Sequence, residues 1–521
     1  MKIIWNEVNR MTTVKHNIIA NYLGQVWTGF MALAFLPLYI EHLGMEAYGL
    51  IGLFAVLQAL LMLLDVGMTP TLNREMARFS AGAYSPQSIR ELLRSLEIIC
   101  YALAAVIVVG IWIASDYLAL DWLKAEQLPT SVVAHALIIM AFVVGMRLCE
   151  GIYRGSLYGL EQQVWYNAIY SLLTTLRYGG ALVILKWVSA SIEAFFIWQA
   201  VVSFLTVIVF TLRVYRTLPE APERVGFSRE ALTRVWRFAG GMMSIALLTM
   251  LLLQMDKVLL SRLLSLEEFG YYALAATAAS VIYMIIVPVT QAVYPRMVRL
   301  STHEDQAELI AVYHQITQLV IVLIAPAAML LSFFAGGVVY MWSGNTSLVQ
   351  NTAPLLSVLV VGSFLNSLSY LPYQIQIAHG WISLLIKTNI LIVLVLIPSI
   401  FLIVPHYGAI GAAWIWVALN AGYVLISTQF MHRRLLLNEK WGWYFGDVVL
   451  PTGGAIIVML TAQQLQPQSY QSRLSWFLFL IFTGLIAMVV SAILASTIRA
   501  RFKSYFSKNY FQRIINGHEP K

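Results

Sequence analysis

Fourteen apolar stretches, each long enough to cross a bilayer, fill almost all of this chain. A helix needs roughly 20 apolar residues to traverse ~30 Å of hydrocarbon. The spacing predicts spans near 17–40, 47–69, 97–118, 131–156, 163–187, 191–213, 238–262, 268–292, 313–340, 352–376, 381–404, 409–431, 444–464 and 474–498. Composition agrees, with 60% hydrophobic and 11% charged residues, where a water-soluble domain carries about 25% charge. The expected fold is an all-α polytopic membrane protein.

Charge sets the expected topology. Of 33 Lys and Arg residues, 25 fall in one set of alternating regions. These are the N-terminus (Lys2, Arg10, Lys15), the loops around Arg74–Arg94, Arg154, Arg213–Arg237, Arg296–Arg299 and Arg433–Lys440, and the tail from Arg499 to Lys521. The opposite set holds four, Lys124, Lys186, Arg262 and Arg473, and four more (Arg147, Arg177, Lys257, Lys387) lie inside spans. Positive loops stay cytoplasmic, so both termini are expected inside. Loop asymmetry accounts for the net charge of +8, which therefore carries no nucleic-acid signature.

Several functional classes are disfavoured. The first apolar run begins near Asn17 and is too long for a signal core, although Met11 offers an alternative start. Cys100 and Cys149 both lie in apolar spans without CxxC or Cys/His spacing, so packing is expected rather than a disulfide or a metal site. The longest non-cytoplasmic connection, near Ala119–Thr130, leaves no room for a catalytic domain. No GxxxxGK[ST] phosphate loop is present, so ATP is not the expected direct energy source.

An internal repeat organises the spans. Leu43-Gly44-Met45-Glu46-Ala47-Tyr48-Gly49 aligns with Leu264-Ser265-Leu266-Glu267-Glu268-Phe269-Gly270. The register holds without a gap through Met76-Ala77-Arg78-Phe79-Ser80 against Met297-Val298-Arg299-Leu300-Ser301, and Gly159…Asn167 later faces Gly380…Asn389. Apolar segments match cheaply by chance, but matched Glu, Gly, Arg and Ser at the same helix ends favour duplication. Six spans separate the copies, so both face the same way, as two parallel lobes about an axis along the membrane normal. The expected organisation is a cytoplasmic N-terminus (1–16), an N-lobe of helices 1–6 (17–215), a cytoplasmic linker (216–237) and a C-lobe of helices 7–12 (238–435). Helices 13–14 (436–498) and a basic amphipathic tail (499–521) follow.

Leu43-Gly44-x-x-x-Tyr48-Gly49, then Asp65-Val66-Gly67 and Arg74, resembles the oligosaccharide-lipid flippases. These are the Wzx-type polysaccharide transporters of the multidrug/oligosaccharidyl-lipid/polysaccharide exporter superfamily. Asp256-Lys257-x-Leu-Leu, followed by Phe269-Gly270-Tyr271-Tyr272, is similar to the same family's seventh and eighth helices. The resemblance covers roughly residues 12–435, and helices 13–14 depart from the twelve-span pattern. It implies two six-helix lobes around a cavity that opens alternately to each side of a bacterial inner membrane. The implied substrate is an undecaprenyl-diphosphate-linked oligosaccharide for surface polysaccharide assembly. A polymerase and a chain-length regulator are the implied protein partners. No cofactor is expected beyond a proton or sodium ion as coupling ion. A multidrug exporter of the same superfamily and an integral membrane glycan polymerase or ligase are the alternatives.

An ionised side chain at the bilayer centre costs about 3 kcal/mol on insertion scales, so each needs a reason. Arg147, Glu150 and Arg154 share one face of the fourth helix, as a cavity-lining strip or a ladder to a neighbouring helix. Arg177 lies midway along the fifth helix, where its guanidinium is expected to line the cavity and meet phosphate oxygens, with a bridge to Glu150 as the alternative. Asp256 and Lys257 are adjacent, about 100° apart on a helix, and need not pair; Lys257 is expected to bind substrate or to snorkel outward, and Asp256 reads equally as an ion-coupling carboxylate or a structural one. Asp65 is expected to cap locally or to pair with Arg74 or Arg78, and Lys387 either snorkels or meets phosphate. The four interior cations exceed the three acids Asp65, Glu150 and Asp256 by one, a balance suited to an anionic cargo. Pro288, Pro326 and Pro372 stand as hinges or static kinks.

Overall fold

The computed structural model describes residues 2–500 apart from 66, 81, 224, 234–253, 303–304, 468–469 and 471. Side chains are described from Ile19 onward, except those of 60–64, 295, 302 and 382. Among these residues the chain is helical almost throughout, with a single isolated bridge pairing Lys124 and Ser265. Eleven helices are long and apolar enough to cross a membrane. The expected second span corresponds to a further apolar helix, and the eleventh and twelfth run together as one 53-residue stretch. The seventh falls largely outside the described residues, as does the basic tail, so fourteen remains the expectation from sequence.

Two compact units emerge, Met1–Gly270 and Tyr271–Lys521. The first contains α1 (Lys2–Leu43), α2 (Met45–Leu64), α3 (Met68–Ser80), α4 (Pro86–Tyr117), α5 (Thr130–Gly159), α6 (Gln163–Trp187) and α7 (Ile192–Thr217). Caps begin the helices where the sequence turns polar. Ser85 precedes Pro86 and accepts from Ser88 N at 3.2 Å, and Ser191 accepts from Ala194 N at 3.2 Å. The second span, expected at 47–69, ends earlier. It stops at Leu64, and Gly67, at φ 73°, turns the chain into the separate helix α3.

At the centre of this unit is α5, packed on α7, α4 and α3. Gly151, Gly155 and Gly159 repeat every fourth residue along it. A Cβ at Gly151 would lie 2.8 Å from Thr69 Oγ1, one at Gly155 would strike the Thr69 carbonyl, and one at Gly159 the Asn73 carbonyl. Small residues thus let the α3 backbone lie directly on α5, as in close-packed membrane helices.

The duplicated motif meets itself. α8 (Leu266–Ala279) begins in the first unit. A Cβ at Gly49 would collide with the Leu266 carbonyl, and one at Gly270 would come within 2.9 Å of the Met45 carbonyl. In the repeat register Gly49 matches Gly270 and Met45 matches Leu266, so this contact is reciprocal. Glu46 of the first copy also folds down the connection between α4 and α5. Its carboxylate accepts the backbone N–H groups of Glu126, Gln127 (2.8 Å) and Leu128 (3.0 Å).

The second unit continues α8 and adds α9 (Val281–Thr302), α10 (Gln306–Phe333), α11 (Ala335–Ser343), α12 (Thr346–Leu368), α13 (Tyr370–Ala378), α14 (Ile382–Gly422), α15 (Thr428–Leu435), α16 (Leu450–Ala462) and α17 (Arg473–Leu494). Gly408, at φ 59°, kinks α14. Pro326 lies inside α10, whereas Pro372 stands at the start of α13, just after the chain breaks at Ser369. A π-helical turn, Gly442–Val449, leads into α16. Outward faces carry large apolar side chains such as Trp112, Ile113, Leu394 and Leu402, the surface expected where the solvent is lipid.

Candidate functional site

The interior charges of the first unit gather where α5, α6, α2 and α7 meet. Arg177 of α6 is 3% exposed and Glu150 of α5 is 5% exposed. Arg177 Nη2 lies 3.9 Å from Glu150 Oε2 and donates to Thr206 Oγ1 of α7 at 3.4 Å, while its Nε–H is buried without an acceptor. Of the two readings open from sequence, the bridge to Glu150 is the one this conformation contains. Arg177 is enclosed, not lining an open surface.

One turn before Glu150, Arg147 donates to Gln58 Oε1 of α2 and packs its guanidinium over the Phe54 ring, 5.3 Å from the centroid. Its Nε–H too is buried and unaccepted. One turn after Glu150, Arg154 is exposed. Tyr158, Tyr166, Tyr170 and Glu150 lie within electrostatic reach of Arg154, and Tyr170, Tyr178, Glu150 and Arg177 within reach of Arg147. The tyrosines come mostly from one stripe of α6, where Tyr166 and Tyr170 stack with centroids 5.4 Å apart. Three guanidinium groups therefore surround one carboxylate in an aromatic setting, with Arg177 enclosed and Arg154 exposed.

The geometry of this cluster follows from local sequence. The three charges occupy one strip of α5 by helical periodicity, and the glycine ladder on the adjoining strip brings α3 close beneath them. Beside it, Asn21 of α1 donates to Gln163 Oε1 at 2.9 Å and accepts from Asn167 at 2.6 Å and Tyr158 OH at 3.3 Å. That network fixes α1 to α6. Gln58, Phe54, Thr206 and the α6 tyrosine stripe were not singled out by the sequence. The glycine ladder and the tyrosine spacing were signals that would have found part of it; Gln58 and Thr206 carried none.

The other expected site residues lie elsewhere. Asp65 caps α3, accepting from Thr69 N at 3.1 and 3.2 Å and from Thr69 Oγ1 at 2.8 Å. Arg74 and Arg78 turn instead to Glu75, at 3.6 and 3.1 Å. Asp256 and Lys257 do pair, at 3.6 Å, because the flexible Lys257 chain reaches back across the turn to its neighbour. Lys387 is exposed in the second unit. Cys100 and Cys149 are free, buried thiols in contact at 3.4 Å. Among the described residues no group of three or more His, Cys, Asp or Glu side chains is placed to hold a metal ion.

Comparison with known proteins agrees with this architecture. In fold the chain resembles a lipid II flippase MurJ in an inward closed conformation, with TM-score 0.68 and 12% identity over 92% of this chain and 98% of that one. It also resembles an inward-facing multidrug resistance MATE family transporter of the MOP superfamily, with TM-score 0.61 and 16% identity over 78% of this chain and 94% of that one. By sequence it is 21% identical, over 82% of its length and 99% of the relative's, to a Shigella flexneri protein named "Putative O-antigen transporter". These relatives are transporters and flippases, not catalysts. The polysaccharide biosynthesis protein family model matches residues 14–301, more than half of the chain, and the chain belongs to that family.

Proposed function

We propose that the protein is a flippase for polyprenyl-diphosphate-linked oligosaccharide, moving repeat units from the cytoplasmic to the periplasmic leaflet of a bacterial inner membrane. The carrying observation is the cluster of Arg147, Arg154 and Arg177 around the single carboxylate Glu150, inside helices that span a membrane. Cations held in a low-dielectric interior favour an anionic cargo, and a guanidinium presents a planar fork to phosphate oxygens. In this reading Arg154 meets the diphosphate, Arg147 follows as the substrate advances, and the Arg177–Glu150 pair braces α5 against α6. The tyrosines beside them offer faces and hydroxyls to sugar. The MurJ-like fold and the Shigella flexneri relative support the same substrate class. Movement by alternating access, with a proton or sodium ion as coupling ion, and hand-over to a polymerase and a chain-length regulator complete the proposal.

The test compares surface glycan with membrane protein level in Arg154 variants. Arg154→Ala should accumulate normally, since the side chain is exposed, yet lose roughly tenfold or more of export, the worth of one charge-assisted hydrogen bond. Arg154→Lys should recover part, keeping charge without the fork. Full export by Arg154→Ala would overturn the site. Intact glycan with new drug sensitivity in cells lacking the protein would replace the cargo with a drug.

A further inference from the structure

The helix pair beyond the twelve-helix pattern is tied to the second unit through one polar cluster on α10. His314 and Gln318 lie one turn apart on the same face. His314 Nδ1 contacts Asp447 Oδ2, and its Nε2 lies 2.9 Å from Glu439 Oε2. Gln318 Nε2 donates to Asp447 Oδ1 at 2.7 Å and to Ser496 Oγ at 3.2 Å, while its carbonyl accepts from Thr497 N at 2.8 Å. Two residues of α10 thus grip the approach to α16 and the chain leaving α17. Asp447, 2% exposed, sits in the π-helical turn Gly442–Val449, a rare form that collects at functional positions.

Proton counting makes this more than a joint. A carboxylate has only lone pairs, and a neutral imidazole has one N–H. Both ring nitrogens of His314 face carboxylate oxygens, so two hydrogen bonds require two protons among the three groups. A neutral histidine between two carboxylates supplies one. The second must be bound from solution, as imidazolium or as a carboxylic acid.

We propose that His314, Asp447 and Glu439 form a proton-binding latch that holds the C-terminal helix pair on α10 when the extra proton is bound. When it leaves, the remaining N–H stays with buried Asp447, which Gln318 also orients, and the half-exposed Glu439 is repelled by the bare Nε2 lone pair. The latch is therefore closed at low pH and opens as pH rises. Neighbouring groups do not supply the missing proton. His432 of α15 faces Tyr313 OH at 3.3 Å and packs on Trp443. Lys440 lies over Trp441 at 4.5 Å, Tyr444 OH donates to the Val424 carbonyl at 2.7 Å, and Glu308 pairs with Arg296 at 2.7 Å.

Gly442 provides the probe. Gly442 itself is exposed, but a Cβ there would sit 3.7 Å from His314 Cε1 and 3.9 Å from Glu439 Oε2, ordinary contacts that hold a thiol against the paired groups and are lost when the latch opens. In the purified full-length chain carrying Cys100→Ala and Cys149→Ala, Gly442→Cys is labelled with a maleimide from about pH 5.5 to about pH 8.5, spanning the imidazole range. Each rate is divided by that of the same cysteine with His314→Gln, which cancels thiol ionisation. The ratio should be about tenfold lower at the acid end than at the alkaline end, one bound proton's worth. Glu439→Gln, whose amide donates to a neutral imidazole, should keep labelling slow at every pH. A ratio that does not change with pH, or a pH dependence surviving in Glu439→Gln, overturns the latch. If His314→Gln does not elute as a folded species, the denatured chain serves as reference and the Glu439→Gln arm decides. No substrate enters this measurement, so its outcome is independent of the export assay.

Discussion

The two copies of the repeat share their framework and differ in their interior. Each places a glutamate in the first turn of its second helix, Glu46 and Glu267, and the matched glycines Gly49 and Gly270 make equivalent close contacts. In the register of the repeat, however, Arg147, Glu150 and Arg154 of the first copy fall on Leu368, Leu371 and Ile375 of the second, all buried. Arg177 falls on Pro398 or Ser399. Helix geometry diverges with chemistry. α5 runs 30 residues unbroken, whereas its counterpart is split into α12 of 23 and α13 of 9 around Ser369. The glycines that let helices approach are shared, and the charge strip of α5 with Arg177 stands in the first copy alone. A lobe pair can therefore share its packing glycines while differing in where charge lies along matched helices.

The largest expected effect concerns the pair that has no counterpart in the second copy. Arg177→Ala removes the ion-pair partner of buried Glu150, which costs about 3–5 kcal/mol and should appear as lost membrane protein. The double exchange Glu150→Arg with Arg177→Glu should recover much of that level. A normally accumulating, fully exporting Arg177→Ala protein would remove the distinction between the copies. Placing charge in the second copy tests the reverse. Leu368→Arg should cost about 3 kcal/mol, seen as poor insertion or a lowered detergent melting temperature; free tolerance would show that the second interior also accepts cations.

Smaller effects probe the shared framework. Gly49→Ala should destabilise by about 1–3 kcal/mol because its Cβ meets a backbone carbonyl, and Gly270→Ala by less, since its nearest contact is 2.9 Å. Equal losses would mean that the reciprocal contact is better balanced than the geometry indicates. Smallest is Asp65→Ala, which removes the α3 cap at about 1 kcal/mol, readable as a modest melting shift with Asp65→Asn intermediate. A large loss of export at normal stability would return Asp65 to the functional residues.

Membrane character, the repeat and the family were legible from the residues alone. Span length and the 221-residue register are properties of the chain in one dimension, set by hydrocarbon thickness and by duplication. Asp65 could be read as a local cap because its partner lies four residues on. Partners separated along the chain could not be read. Whether Arg177 faced a cavity or Glu150, where Gln58 and Thr206 stood, and that His314 would meet Asp447 across 133 residues depended on which helix faces pack together. Hydrophobic pattern places a helix in the membrane without fixing its rotation or its neighbours. Those follow from close packing, here from glycines at Gly49, Gly151, Gly155 and Gly159, and only the packed structure turns isolated charges into pairs.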